Sequence, residues 1–248
     1  MKVAVVTGSS GFLGTALVRY LLKDYFVVGI DRTVCEDNQS IPSYFIGADL
    51  LNQNQLEELG IELSNKYPRI DLLVNLAASK PEGFFNPTQV YNIPEWNEIL
   101  AVNITSFFIL SKNLFPSLKN ASGSIINFGS IYGNREPRKS MYLGAIDPSS
   151  GNPLSNPLAY SVTKSAVLGL TRHLAMEWGE HGIRVNCIAP GGVENNHNPE
   201  FVQSYSSQTA LGRMAQPEDV VGAVSYLISK AANYVTGTTL TVDGGWSI

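Results

Sequence analysis

Short apolar runs that alternate with helix-patterned segments constrain this chain more than any other feature of its sequence. The run KVAVVTG is followed by FLGTALVRYLLKDY, in which apolar residues recur at helical spacing, and the alternation continues to residue 245. Near-continuous apolar strands are typical of a parallel sheet covered by helices on both faces. The pattern therefore predicts an α/β fold with a doubly wound, seven-stranded parallel sheet.

The periodicity also sets approximate element bounds. Strands are predicted at 2–8, 26–31, 43–50, 70–78, 123–130, 183–191 and 238–245, and helices at 12–25, 54–67, 94–118, 158–182 and 217–229. Two long stretches without periodicity, 131–157 and 191–212, interrupt the pattern. Loops of that length in a compact domain are commonly functional, so we expect them to contact substrate. We expect one domain over residues 1–248.

Composition excludes several classes of function. The net charge of −4 over 248 residues gives no electrostatic basis for binding nucleic acid or an anionic membrane. Two cysteines without a CxxC pair predict a reduced, intracellular protein without a structural metal. No apolar run reaches the length of a membrane span, and the N-terminus does not resemble a signal peptide. We therefore expect a cytoplasmic protein.

A glycine-rich turn, TGSSGFLG, joins the first predicted strand to the first helix. Glycines there let the backbone approach a pyrophosphate, while the helix N-terminus supplies N–H donors and a positive dipole end. The turn predicts a nucleotide site, with a purely structural tight turn as the alternative. The residues expected to contact the cofactor are Gly8, Ser10, Gly11, Phe12, Leu13 and Gly14.

Asp31 ends the second predicted strand, 17 positions after Gly14. A carboxylate at that point accepts hydrogen bonds from ribose hydroxyls and repels a 2′-phosphate, so NAD is favoured over NADP. Arg32 follows directly and could instead bind that phosphate. Further contacts are expected where other strands end, from Asp49 with Leu50 and from Asn75.

Tyr160 and Lys164 are four positions apart in a predicted helix, so their side chains share one face. A free tyrosine has a pKa near ~10. A neighbouring ammonium favours the phenolate, which allows the tyrosine to act as a general acid or base near neutral pH. Alone, this spacing is also common in surface helices.

The order of the motifs closely resembles the short-chain dehydrogenase/reductase superfamily. In sequence these are TGxxGxxG, the strand-end Asp31, NLAA at 75–78, an asparagine in the long helix, a serine at a strand end, YxxxK, and PG at 190–191. The resemblance extends from Val3 to Gly245. It implies a single-domain Rossmann fold and hydride transfer between nicotinamide and a carbinol carbon.

The resemblance also implies a role for each matching residue. Tyr160 would be the catalytic acid/base, and Lys164 would lower its pKa and hold the nicotinamide ribose. Ser130 would hydrogen-bond the reacting oxygen, and Asn103 would hold the helix and a water of the proton relay. The expected cofactor neighbours are Asn75 and Ala77 on the adenine side and Pro190, Gly191 and Val193 on the nicotinamide side.

Two departures from the family pattern stand out. Phe12 occupies the position of a glycine in the TGxxxGxG form of the turn, and Gly11 precedes it, so we expect an altered turn geometry. Thirty positions separate Ser130 from Tyr160, about twice the usual spacing. The extra segment carries Arg135, Arg138 and Lys139, which would suit an anionic substrate or form a solvated loop.

The combination of GSIYG, this insertion, AYSVTKSAVLGLTR, APGGV and LGRMAQPEDVVGAVSYLIS is similar to oxidoreductases of bacterial surface-glycan and flagellin-modification pathways. It implies a small-molecule, sugar-derived or nucleotide-sugar substrate. Two alternatives stay open: an NADPH-dependent 3-oxoacyl-thioester reductase and a non-catalytic dinucleotide-binding protein. The family resemblance further implies a homo-oligomer, a tetramer or a dimer.

Overall fold

Seven parallel strands form the sheet of this protein. The computed structural model describes residues 1–136 and 157–248. The strands are β1 (Lys2–Thr7), β2 (Tyr25–Asp31), β3 (Tyr44–Gly47), β4 (Leu72–Asn75), β5 (Ser124–Phe128), β6 (Arg184–Pro190) and β7 (Thr239–Val242). Their order is β3-β2-β1-β4-β5-β6-β7, and each neighbouring pair is parallel. The predicted fold class is confirmed.

Helices cover both faces of the sheet. They are α1 (Phe12–Leu21), α2 (Gln53–Lys66), α3 (Ile93–Leu100), α4 (Ser106–Ala121), α5 (Leu158–Trp178), α6 (Pro199–Ser206) and α7 (Pro217–Ile228). Successive side chains of a strand point to opposite faces, so Val5 packs with α2, α4 and α5 while Ala4 and Val6 pack with α1 and α7. Burial on both faces explains why the strands have continuous apolar sequences.

The predicted helix 94–118 is present as one helical stretch, Ile93–Ala121, but it is not α-helical throughout. It consists of α3, a π-helical turn over Ala101–Thr105, and α4. A π turn inserts an extra residue into the helical repeat and changes the direction of side chains on either side of it. Asn103 lies in this turn and is fully buried. Apolar periodicity alone gave no sign of the interruption.

Two other bounds needed correction. The stretch 191–212 contains α6, a short helix that begins after Asn198, whose side chain caps it. The predicted helix 158–182 is α5 followed by a 3₁₀ turn over Gly179–His181, and Gly182 ends it with φ of +75°. That left-handed conformation is the reason a glycine terminates this helix.

The chain order of the strands reverses beside β1, which lies between β2 and β4. Connections leave to opposite sides of the sheet at such a point and open a crevice at the carboxyl ends of the strands. The crevice is therefore bordered by the ends of β1, β2 and β4. All of the predicted nucleotide contacts in the first half of the chain lie on this edge.

One helical stretch of the described chain is long and apolar enough to cross a membrane. This stretch, Ile93–Ala121, has a mean hydropathy of 1.4 in its most apolar window, and half of that window is buried inside the fold. Phe107, Leu110 and Leu114 are fully buried there. The apolar character of this stretch is accounted for by packing in the core.

Candidate active site

The turn between β1 and α1 requires glycine at two positions. Gly8 has φ of +69°, and a Cβ on it would lie 2.9 Å from the Cα of Ala77 at the end of β4. A Cβ on Gly14 would lie 2.0 Å from the carbonyl oxygen of Gly8. Glycines therefore let the turn fold tightly onto itself and onto β4. No described side chain caps α1 at Gly11, so its first N–H groups stay available to a ligand.

A cavity of about 560 Å³ opens at this turn. The predicted cofactor residues that line it are Gly8, Ser10, Gly11, Phe12, Leu13, Gly14, Asp31, Arg32, Asp49, Leu50 and Ala77. The structure thus brings together residues predicted at the ends of four strands, β1, β2, β3 and β4. Phe12, which replaces a family glycine, is partly exposed at the cavity and is the first residue of α1.

Asp31 supports the glycine turn as well as lining the cavity. Its Oδ2 accepts a 2.9 Å hydrogen bond from the backbone N–H of Ser10, and its Oδ1 accepts a 2.7 Å bond from the N–H of Arg32. A carboxylate has about four acceptor sites, so these two bonds leave capacity for ribose hydroxyls. The carboxylate therefore links the conformation of the turn to the end of β2.

The residues of this cavity fit the adenosine and phosphate part of a dinucleotide. The hydroxyl of Ser10 is buried and has no hydrogen-bond partner in the described chain, although Ser10 lines the cavity. A buried hydroxyl without a partner costs free energy unless a ligand satisfies it. A phosphate oxygen at the N-terminus of α1 would supply that partner, while the ends of β2 and β4 would border the adenosine.

The predicted catalytic residues meet where β5 ends beside α5. The hydroxyl of Ser130 lies close enough to the phenol of Tyr160 to act on its pKa as a hydrogen-bond partner. The Nζ of Lys164 lies 5.3 Å from the centre of the Tyr160 ring and donates a 2.6 Å hydrogen bond to the carbonyl of Phe128. The i, i+4 spacing on α5 therefore places the ammonium next to the phenol, as the sequence predicted.

Burial dominates the electrostatics of this pair. It raises the pKa of Tyr160, while the hydrogen bond with Ser130 acts in the opposite direction. Burial likewise lowers the pKa of Lys164 to about 8, against the opposing influence of the Cys187 thiol. We expected Lys164 to lower the pKa of Tyr160; in this structure the phenol pKa is raised, because desolvation is the larger effect.

Asn103, the fourth predicted catalytic residue, connects two segments of the site. Its Oδ1 accepts a 2.8 Å hydrogen bond from the N–H of Ser79, just after β4, and its Nδ2 donates a 3.3 Å bond to the Oγ1 of Thr163. Thr163 precedes Lys164 on α5. The π turn thus places one amide side chain where it can hydrogen-bond both to the segment after β4 and to α5.

Several predicted residues do not line the cavity. The Asn75 side chain is fully buried and donates to the Oδ1 of Asn127 at 2.8 Å. Gly191 donates its N–H to the carbonyl of Val242, and Val193 pairs with Ala215. Pro190, Gly191 and Val193 therefore follow the carboxyl end of β6, beyond the cavity. Of the basic cluster, Arg138 and Lys139 lie outside the described residues.

Other residues line the cavity although sequence reasoning did not identify them. They are Ile30, Thr33, Ala48, Leu51, Ala78, Ser79, Glu98 and Val102, whereas Leu76, which also lines it, lies within the predicted stretch 75–77. Glu98 and Val102 lie four positions apart, so their helical spacing before Asn103 was an available signal. Glu98 also accepts a hydrogen bond from the hydroxyl of Ser79.

Aromatic side chains beside the catalytic residues were also missed. The Phe84 ring lies 5.6 Å from the Tyr160 ring in an edge-on arrangement. On the other side of the site, Tyr205 of α6 stacks on Trp246 at 6.1 Å and accepts a hydrogen bond from the N–H of Gly192 at 2.5 Å. No local sequence pattern connects these distant positions.

Comparisons with known proteins show the family and agree with the fold. The family model described as enoyl-(acyl carrier protein) reductase matches residues 28–247. The crystal structure of a short chain dehydrogenase from Leptospira borgpetersenii with bound NAD+ has a TM-score of 0.88 and 34% identity, covering 100% of this chain and 93% of that one.

Two curated relatives carry different activities in their names. L-fucose dehydrogenase of Mus musculus is 31% identical, over 98% of this chain and 88% of its own length. A 3-oxoacyl-[acyl-carrier-protein] reductase of Aquifex aeolicus is 29% identical, over 98% of this chain and 96% of its own length. The chain is therefore similar along nearly its full length to both a sugar dehydrogenase and an acyl reductase.

Proposed function

The chain belongs to the short-chain dehydrogenase/reductase family, and we propose that it is an NAD-dependent oxidoreductase of a polar, sugar-derived hydroxyl or carbonyl compound. Its class, an oxidoreductase acting on alcohol or ketone groups, follows from the family. The observation that carries the proposal is the position of the Lys164 ammonium, 5.3 Å from the centre of the Tyr160 ring, with the Ser130 hydroxyl beside the same phenol.

The two hydroxyls define where the reacting oxygen binds. Ser130 and Tyr160 together would hydrogen-bond the carbonyl or hydroxyl oxygen of the substrate. Tyr160 would transfer the proton at that oxygen as general acid or base. A bound nicotinamide supplies the hydride acceptor or donor.

Lys164 and Asn103 position the proton-transfer group. Lys164 is held by the Phe128 carbonyl, so its charge stays close to the phenol and would favour the phenolate during turnover. It would also hold the nicotinamide ribose. Asn103 fixes the connection after β4 relative to α5, and we propose that it also binds a water that exchanges protons with the solvent.

Charge at the cavity supports NAD over NADP. Three carboxylates line it, from Asp31, Asp49 and Glu98, against one guanidinium, from Arg32. Asp31 is held at the end of β2 by two backbone N–H groups, so it cannot easily turn away from a 2′-phosphate. The solved Leptospira relative contains NAD+. Arg32 is the residue that would permit NADP.

The proposed substrate class rests on similarity to relatives and on sequence motifs. Similarity to L-fucose dehydrogenase favours a sugar, and the sequence motifs shared with surface-glycan oxidoreductases favour a sugar or a nucleotide sugar. Similarity to the Aquifex reductase favours the second candidate, an NADPH-dependent 3-oxoacyl-thioester reductase. The third candidate is a non-catalytic role. It would require four residues, Asn103, Ser130, Tyr160 and Lys164 (the tetrad), to have no chemical function, although they lie close together or share a partner such as Thr163.

We also propose a homo-oligomer, a tetramer or a dimer, located in the cytoplasm. Phe108 on α4 and Val162 and Met176 on α5 are exposed apolar side chains, which would be covered in an assembly built through these helices. Cys35 and Cys187 are both free thiols, as in a reducing compartment.

Calorimetric titration of the purified protein with NAD+, NADH, NADP+ and NADPH tests the proposal first. Tight binding of the non-phosphorylated pair alone supports the role of Asp31 and leads to a turnover screen of L-fucose, other sugars and nucleotide sugars. Tight NADPH binding with turnover of a 3-oxoacyl thioester would instead establish the second candidate. Binding without turnover of any of these compounds would favour the non-catalytic alternative.

A further inference from the structure

The segment after β4 connects the two halves of the active site. At one end, the N–H of Ser79 is bound by Asn103, and Ser79 lines the cofactor cavity. At the other end, the buried Phe84 packs edge-on against Tyr160. Residues 80–83 therefore extend from the cofactor cavity to the catalytic tyrosine, where a substrate has to enter.

Lys80 places a positive charge on this segment. Its Nζ lies 4.8 Å from the centre of the Phe85 ring and 5.8 Å from that of Phe84. Together with the 5.6 Å between the Phe84 and Tyr160 rings, this puts the ammonium within about 11.4 Å of the centre of the Tyr160 ring. Contact with the two rings restricts the position of the ammonium, which prepares it for a ligand.

The ammonium of Lys80 has no carboxylate partner in the described part of the chain. The nearby carboxylates have other donors: Glu98 accepts from the Ser79 hydroxyl, and Glu95 accepts from the N–H of Gly83 at 3.1 Å. Glu82, two positions along, forms no ion pair with it. Lys80 is exposed, so an anion can reach it from solvent.

We propose that Lys80 binds an anionic group of the substrate, a carboxylate or a phosphate, while the reacting oxygen lies at Ser130 and Tyr160. This inference rests on the proposed function and narrows its substrate class to anionic compounds. An ammonium forms charge-assisted hydrogen bonds with either group, and its separation from Tyr160 allows one molecule to reach both. Lys80 would then select substrates by charge, and the tetrad would act on any hydroxyl so placed.

Three sugars that differ only at C6 provide the probes: neutral glucose, glucuronate and glucose 6-phosphate. Each is titrated by calorimetry into the complex of the protein with NADH, and NADH alone is titrated first. We expect both anions to bind more tightly than glucose. Lys80→Met, which retains the aliphatic stem, should weaken binding of the anions by on the order of tenfold to a hundredfold and leave glucose unchanged.

Two variants serve as controls. Lys80→Arg should restore anion binding, because it restores the charge. Lys119→Met removes another exposed lysine that lies over a phenylalanine, 6.0 Å from the Phe115 ring at the end of α4, and should change nothing. Preference between glucuronate and glucose 6-phosphate distinguishes the carboxylate from the phosphate.

Failure of both anions to bind the wild-type complex, or equal binding to Lys80→Met, would overturn the inference. A loss of NADH affinity in Lys80→Met, equal to the loss for the anions, would assign the lysine to the cofactor phosphates and also overturn it. Absence of NADH binding to the wild-type protein would instead refute the proposed function itself, so the two failures are distinguishable.

Discussion

The Nζ of Lys164 donates its hydrogen bond to the carbonyl of Phe128, the last residue of β5. This bond links α5 to the sheet through the same side chain that carries the charge beside Tyr160. Burial penalises this ammonium and lowers its pKa to about 8 from 10.5. The buried charge therefore lowers the free energy of unfolding at every pH at which Lys164 is protonated in the folded state.

The stability of the wild-type protein should rise relative to Lys164→Met between pH 8 and pH 10.5. Below pH 8 the lysine is charged in both states and the folded state bears the penalty; above 10.5 it is neutral in both. The shift corresponds to about 3 kcal/mol. Urea unfolding of both proteins across this range measures the difference, and a constant difference would contradict the shift.

Tyr160→Phe should lower kcat by at least about a hundredfold because the proton-transferring hydroxyl is lost. Calorimetry should find NADH binding nearly intact, since Phe retains the ring of Tyr160 and its edge-on contact with Phe84. Tyr226→Phe, on the outer helix α7, is the matched control and should leave turnover unchanged. Wild-type turnover in Tyr160→Phe would remove this residue from the mechanism.

Asp31→Ala should relax the preference for NAD over NADP by about tenfold or more, because the carboxylate facing the 2′ position is gone. The Kd values of NADH and NADPH measure the ratio. Asp37→Ala removes another carboxylate of the same β2–β3 connection, one paired with Arg19, and should leave the ratio as it was. A wild-type ratio in Asp31→Ala would assign the preference to Arg32 or to the glycine turn.

Asn103→Leu should lower both stability and activity. It leaves the N–H of Ser79 without its partner and removes the bond to Thr163, a loss of about 2–4 kcal/mol. Asn113→Leu on α4 removes only a 3.2 Å bond to the carbonyl of Glu57 and should lower stability alone. Thermal unfolding and kcat are compared; retention of kcat in Asn103→Leu would make this asparagine purely structural.

Tyr205→Phe should raise KM with little change in kcat. Its hydroxyl accepts the N–H of Gly192, so its loss loosens α6 against the segment after β6 by about 1–3 kcal/mol. Steady-state kinetics test this once a substrate is known. Tyr234→Phe, at a fully exposed position, should behave as wild type. An unchanged KM would show that α6 does not contact the substrate.

The parts of the site that sequence predicted are those carried by local patterns. Gly8, Gly14 and Asp31 belong to one strand–turn–helix–strand unit, and Tyr160 and Lys164 to one helix, so their spacing determines their relative positions. The family and the sheet are confirmed on this basis. The NAD preference and the site roles stay proposals.

The remaining features depend on contacts between distant segments. The π turn at Asn103 cannot be recognised from apolar periodicity, because it lies inside one helical stretch that continues as α3 before it and α4 after it. Phe84 meets Tyr160 only after β4 and α5 have packed. The short α6 did carry a start signal, Asn198 followed by Pro199, but only Tyr205 in it is fully buried, so its pattern was too weak to recognise.

The hydrogen bond between Lys164 and β5 also has a consequence for evolution: residues that recognise the substrate can change independently of those that carry out the reaction. The groups that we propose to transfer the proton are held by the sheet and by α5, whereas Lys80 and Phe84 lie between β4 and α3, and Tyr205 lies on the short α6 between β6 and α7. We therefore expect replacement of these segments to change which molecule is recognised and to leave the proton-transfer groups in place. Exchange of residues 79–92 and 191–212 with those of a relative is thus a route to new substrates on an unchanged catalytic frame.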